Sequence, residues 1–184
     1  MDEFDQYLKQ GEPNKAEKAK VWKAAIGLQQ VDNLTPSGYL IEIAIQNIEG
    51  TISIEQVKDR IDSYYLQHPV QDNTNRTEEA DKVSAKIAEI LTEHTFVMSP
   101  IEYLNIHRRL FEGIYADAGK ARDYNISKKE WVLEGETVIY GSADNLMATL
   151  EYDISQEKKF QFSGLSKEQI IEHLASFISR CFSS

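Results

Sequence analysis

Apolar residues recur along most of this chain at the three-and-four spacing of an α-helix. Lys15–Leu28 reads as a first helix, opened by Pro13 and weakened by Gly27. Leu40, Ile41, Ala44, Ile45 and Ile48 give a second, with Thr35 as its cap, Pro36 in its first turn and Gly50 at its end. Ser53 and Gln56 are spaced as a capping box. They open a third helix with Ile54, Val57, Ile61 and Tyr65 on one face, stopped at His68-Pro69. Glu78–Thr92 carries a stripe of Val83, Ile87, Ile90 and Leu91. Ser99-Pro100 starts a helix whose Ile101, Leu104, Leu110, Phe111 and Ile114 are expected to form a long buried face. A short helix follows Ser142, ending near Asp153, and a last one runs from a capping box at Ser166 to Cys181.

Only 123–140 breaks this rhythm. Tyr124, Ile126, Trp131, Val132, Leu133, Val138, Ile139 and Tyr140 are strand formers around a Glu134-Gly135-Glu136 turn, which predicts a β-hairpin. The expected fold is therefore mostly α. A small three-helix module over 1–69 precedes a polar linker at 70–77, and a second helical region with the hairpin covers 78–184. The apolar stripe of the last helix runs almost to Ser184, so a continuation that would cover it is expected. Truncated apolar faces predict a marginal or self-associating protein.

The formal net charge of −10 disfavours a global attraction to nucleic acid or anionic lipid. Lys15, Lys18, Lys20 and Lys23 form the one dense basic run, and interleaved Glu12 and Glu17 make it read as a solvated helix face. A single cysteine, Cys181, excludes an internal disulfide and a two-cysteine metal site, and its place on an apolar face predicts burial. The acidic start and the lack of a long apolar run predict a cytoplasmic protein with no membrane span.

Catalytic signatures are missing from the 184 residues. His68, His94, His107 and His173 have no metal spacing, and no phosphate loop or nucleophile elbow is present. No catalytic or metal-ligating residue is assigned.

One stretch is informative. Ile106-His107-Arg108-Arg109-Leu110-Phe111-Glu112-Gly113-Ile114-Tyr115, followed by Ala118-Gly119 and Arg122, resembles the IHxxLFxxIYxWAGxxR pattern of the Fic (Fido) family, with Asp117 at the usual tryptophan. The resemblance implies that the hairpin, with Lys129, Glu130, Trp131, Val132 and Leu133, is the flap on which a target segment docks by strand addition. Ile48-Glu49-Gly50 resembles the family's inhibitory [S/T]xxxE[G/N] motif, with Ile45 at the Ser/Thr position. The first module then corresponds to a VbhA-like antitoxin unit, with Glu49 and Gly50 as its inhibitory residues.

Intact members transfer AMP from ATP, with Mg²⁺, to a protein hydroxyl through an HxFx[D/E]GNxxR loop. That loop supplies the base, the metal ligand and the phosphate nest. This chain has no such loop. The resemblance therefore implies a truncated member, inactive alone and without a cofactor of its own. Its partner would be a protein target or, in the alternative, an intact Fic enzyme inhibited in trans by Glu49.

Overall fold

A computed structural model describes residues 3–69, 76–93, 95–129 and 137–183, with the backbone only for 128–129, 137–139 and 180–183. The chain is mostly helical and divides into two compact units, Met1–Thr95 and Phe96–Ser184. Among the described residues no helix is long and apolar enough to cross a membrane.

The first unit contains α1 (Asp5–Lys9), α2 (Pro13–Val31), α3 (Gly38–Ile48), α4 (Ile54–Gln67) and α5 (Thr77–Thr92). Its core gathers Trp22 from α2, Leu40, Ile43 and Ile48 from α3, Val57, Ile61 and Tyr65 from α4, and Ala85 and Ala88 from α5. Burying each of the larger side chains contributes about 1.5–3 kcal/mol. The capping box at α4 forms as expected: Gln56 N–H donates to Ser53 Oγ at 3.3 Å and Ser53 N–H to Gln56 Oε1 at 2.8 Å.

Three expectations need correction here. The cap of α3 is Ser37, whose Oγ accepts from Leu40 N–H at 3.0 Å, rather than Thr35. Ser37 wins because its hydroxyl and amide are also held by Asp81. The division of the chain falls after Thr95 instead of at 70–77, because α5 packs on α2 and α4 and completes the first core. Residues 70–75 of the expected linker lie outside the described residues. The basic run is only in part a solvated face: Lys20 and Lys23 are exposed, while Lys15 and Lys18 are half-buried. Lys15 pairs with Glu49 at 2.8 Å, Lys18 donates to the Asn47 carbonyl at 2.9 Å, and Lys23 pairs with Asp5 at 2.8 Å.

The second unit holds α6 (Pro100–Phe111), β1 (Ser127–Lys129), β2 (Thr137–Ile139), a 3₁₀ turn at Ala143–Asn145, α7 (Leu146–Glu157) and α8 (Lys167–Ser183). Among the described residues its buried cluster holds Leu150, Ile154 and Phe177, with Met98 and Tyr103 packed against it. The long buried face expected of Ile101–Ile114 is absent. No residue of α6 is fully buried, and Ile101 is 80% exposed. On α8, Ile171 and Ile178 are also exposed, so amphipathic spacing here outruns the available core.

Strand structure among the described residues is confined to β1 and β2, which pair antiparallel with Lys128 opposite Val138. Of the hairpin predicted over 123–140, residues 130–136 lie outside the described residues, and Tyr124 is exposed.

Candidate functional site

The motif-bearing stretch folds into a hydrogen-bonded clasp. His107 sits on the last turns of α6, and its Nδ1 accepts from the Gly119 N–H at 2.8 Å. An accepting Nδ1 places the proton of the neutral ring on Nε2. Phe111, one turn on, packs at 5.0 Å from the His107 ring, and Tyr115 at 5.3 Å from Phe111. Gly119 must be glycine for two reasons. Its φ is +78°, and a Cβ there would lie 2.4 Å from Arg108 Cβ.

Arg122 extends the clasp. Its guanidinium donates to the Tyr124 carbonyl at 2.9 Å and to the Gly141 carbonyl. It thereby bridges the residues just before β1 and just after β2. The Ala143 N–H donates to Asn125 Oδ1 at 2.8 Å and closes the same base from the other side. The His, Gly and Arg positions of the motif thus hold backbone. Arg122 and Asn125 join this stretch to Gly141 and Ala143.

Of the expected docking residues, Lys129 is the last residue of β1, and Glu130, Trp131, Val132 and Leu133 lie outside the described residues.

Glu49 and Gly50 fall in the first unit, where they end α3. Gly50 has φ +79°, the left-handed conformation that a helix-ending glycine provides. Glu49 is not poised towards open solvent alone. Lys15 Nζ lies 2.8 Å from its Oε2, and Glu12 shares the same ammonium at 3.2 Å. Hydrogen bonds from Lys15 first, and from the Tyr7 phenol second, hold the Glu49 carboxyl below its ordinary range. Lys15 is raised in turn, chiefly by Glu49. Burial pushes the Tyr7 phenol up, with Glu49 adding to it. The glutamate that the motif singles out is thus engaged within its own unit.

Three features lay beyond the sequence pattern. Asp81 on α5 is fully buried and accepts from Ser37 N–H at 2.8 Å, Ser37 O–H at 2.5 Å and Tyr65 O–H at 2.7 Å. Desolvation dominates its surroundings and raises its pKa against those three bonds. In the second unit Glu157, also buried, meets His173 Nε2 at 2.9 Å. Phe160 stacks on that imidazole at 3.6 Å and Phe162 meets it edge-on. The pair ties the end of α7 to α8. On α2, Ala24, Leu28 and Val31 form an exposed stripe one helical turn apart, with Leu28 and Val31 53% and 77% exposed.

Among the described residues no cluster of three or more His, Cys, Asp or Glu side chains is placed to hold a metal ion. His94 and the side chain of Cys181 lie outside the described residues. No protein-family model, curated protein or solved structure matches the chain.

Proposed function

We propose that this chain is a relative of the Fic AMP-transferases, made of a regulatory helical unit followed by the front part of a Fic-like core. It has no transferase activity by itself. The observation that carries this reading is the clasp. At the His and Gly positions of the family pattern His107 accepts from the Gly119 N–H, and at the Arg position Arg122 donates to the carbonyls of Tyr124 and Gly141. The motif positions thus take part in backbone hydrogen bonds on either side of residues 119–122, which supports the reading. The clasp also sits at the base of the paired strands, where a docking flap has to be anchored.

In this proposal the paired strands and Lys129–Leu133 receive an extended protein target. The first unit carries the regulatory Glu49. Inhibition in trans is the weaker alternative, because Glu49 would have to leave Lys15 and Tyr7 for a partner's arginine.

A gain of function tests the proposal. A chimera in which the HxFx[D/E]GNxxR segment and following helix of an active Fic enzyme are joined after Ser184 should label proteins from ATP with Mg²⁺, while the 184-residue chain labels none. Arg122→Ala in the chimera should lower labelling by about tenfold or more by loosening the flap base. A folded chimera without transfer would remove the Fic assignment, and so would magnesium-dependent labelling by the unextended chain.

A further inference from the structure

Residues 3–9 are attached to the first unit much as a ligand would be. α1 is a single turn, too short to be stable alone, so its helicity is imposed by its seat. Phe4 and Tyr7, one turn apart, are 3% and 4% exposed and join the core, whereas Glu3, Gln6, Leu8 and Lys9 face outward. Between the two rings Asp5 reaches Lys23 Nζ at 2.8 Å, and the Tyr7 ring packs into the core of the unit. Each inward side chain of the turn therefore has a dedicated receptor.

The connection to α2 is open. Gln10, Gly11 and Glu12 are exposed, and Gly11 has φ +75° with nothing near the place of a Cβ. The seat is also larger than its occupant. A hollow of ≈ 380 Å³ remains beside Phe4, lined by Phe4, Lys23, Ile26, Gly27, Gln30 and Ile41.

We propose that this seat is a peptide-binding groove, occupied in the structure by the chain's own residues 3–9, and that it accepts a partner segment presenting a large aromatic ring, an acid and a tyrosine on one helical turn. The partner's ring takes the place of Phe4 and extends into the hollow. Its carboxylate meets Lys23, and its tyrosine ring takes the place of Tyr7 in the core. The internal strap competes with the partner at the high effective concentration its short tether provides. Binding therefore requires the strap to lift about the Gln10–Gly11 hinge.

Two measurements test this. In the intact chain, the amides of Asp5–Lys9 should exchange through a local opening, well ahead of those of α3 and α5. A fluorescent peptide of residues 3–11 should bind the intact chain weakly. It should bind about tenfold or more tightly to a chain cleaved at a protease site inserted after Gly11. Phe4→Trp in the peptide should tighten binding, because the indole fills the hollow. Tyr7→Ala should abolish binding, and Lys23→Gln in the protein should weaken it about threefold.

Strap amides that exchange only with global unfolding would overturn the proposal, whether or not the cleaved chain stays folded. So would a cleaved chain with protected α3 and α5 that ignores the peptide. A dimer formed by exchange of straps, with no uptake of added peptide, would assign the groove to a second copy and overturn the partner.

Discussion

The two units of this chain are held together by different means. The first is built around a continuous apolar core to which all five of its helices contribute. Buried polar groups are tied into it: Trp22 Nε1 donates to Asn47 Oδ1 at 3.0 Å, and Asn47 Nδ2 donates to the Ile52 carbonyl at 3.0 Å. The second has a buried cluster of Leu150, Ile154 and Phe177, and its distinctive order comes from the clasp around His107, Gly119 and Arg122. α6 and α8 are as amphipathic by spacing as α4, yet Ile101, Ile171 and Ile178 remain in contact with water. An apolar stripe states which face would gain from burial. It does not supply the surface that buries it.

The largest effect is expected where the apolar core and a buried hydrogen bond coincide. Trp22→Ala should destabilise the first unit by about 3–5 kcal/mol, a large share of a typical domain's stability. It opens a cavity and leaves the Asn47 carboxamide oxygen without its donor. Phe177→Ala should cost the second unit less, because that ring is already 9% exposed in a small cluster. Urea titration with amide exchange resolved by residue measures both. Equal losses would mean that the second unit is better buried than its exposed α6 indicates.

A smaller effect isolates the clasp. Gly119→Ala should cost about 1–3 kcal/mol, combining left-handed strain with the collision on Arg108. Gly113→Ala is the control. Its φ is +81°, but its Cβ would meet open space, so it should cost only the strain, about 1–2 kcal/mol. In the Gly119 variant the His107 imidazole nitrogens should change their NMR shifts as Nδ1 loses its donor. Equal costs and an unmoved His107 signal would show that the backbone approach at Gly119 is not what joins the motif.

Much of the helix layout was legible because its signals are local. Ser53 with Gln56, Ser166 with Gln169, and Ser99 with Pro100 mark helix starts through bonds that span only three residues. α1 was missed because one turn offers only Phe4 and Tyr7, too few positions to establish a period. α5 was assigned to the wrong unit because the polar stretch before it resembles a boundary. Its true affiliation lies in small residues, Ala80, Ala85 and Ala88, which allow close packing and carry no label of their partner. The motif residues could be named, but their mutual bonds could not, since spacing does not reveal that Gly119 donates to His107. Asp81 was invisible altogether, because an acid in mid-helix ordinarily faces water.

Asp81 gives the finest test of how the first unit differs from the second. Its pKa is raised from the ordinary 3.8, with burial as the leading cause, so the native state holds a proton there that the unfolded chain has already lost. Where the native state binds more protons, stability falls as pH rises. Asp81 therefore contributes a declining limb that begins near its unfolded value and ends at its higher native one. Glu49 and Asp5, lowered by Lys15 and Lys23, act in the opposite sense, and stability gained above their unfolded values is lost as pH falls. Asp81→Asn separates the two. At low pH it should cost about 1 kcal/mol, because the carboxamide accepts from Ser37 N–H but must donate to the hydroxyls of Ser37 and Tyr65. As pH rises, wild type loses the advantage of its proton and the variant does not. The gap should close and can reverse in favour of the variant. Urea midpoints of both proteins between about pH 3 and pH 8 measure this difference directly. Parallel curves would mean that Ser37 and Tyr65 stabilise the carboxylate as well as water does, and that the first unit keeps a buried charge without any loss of stability.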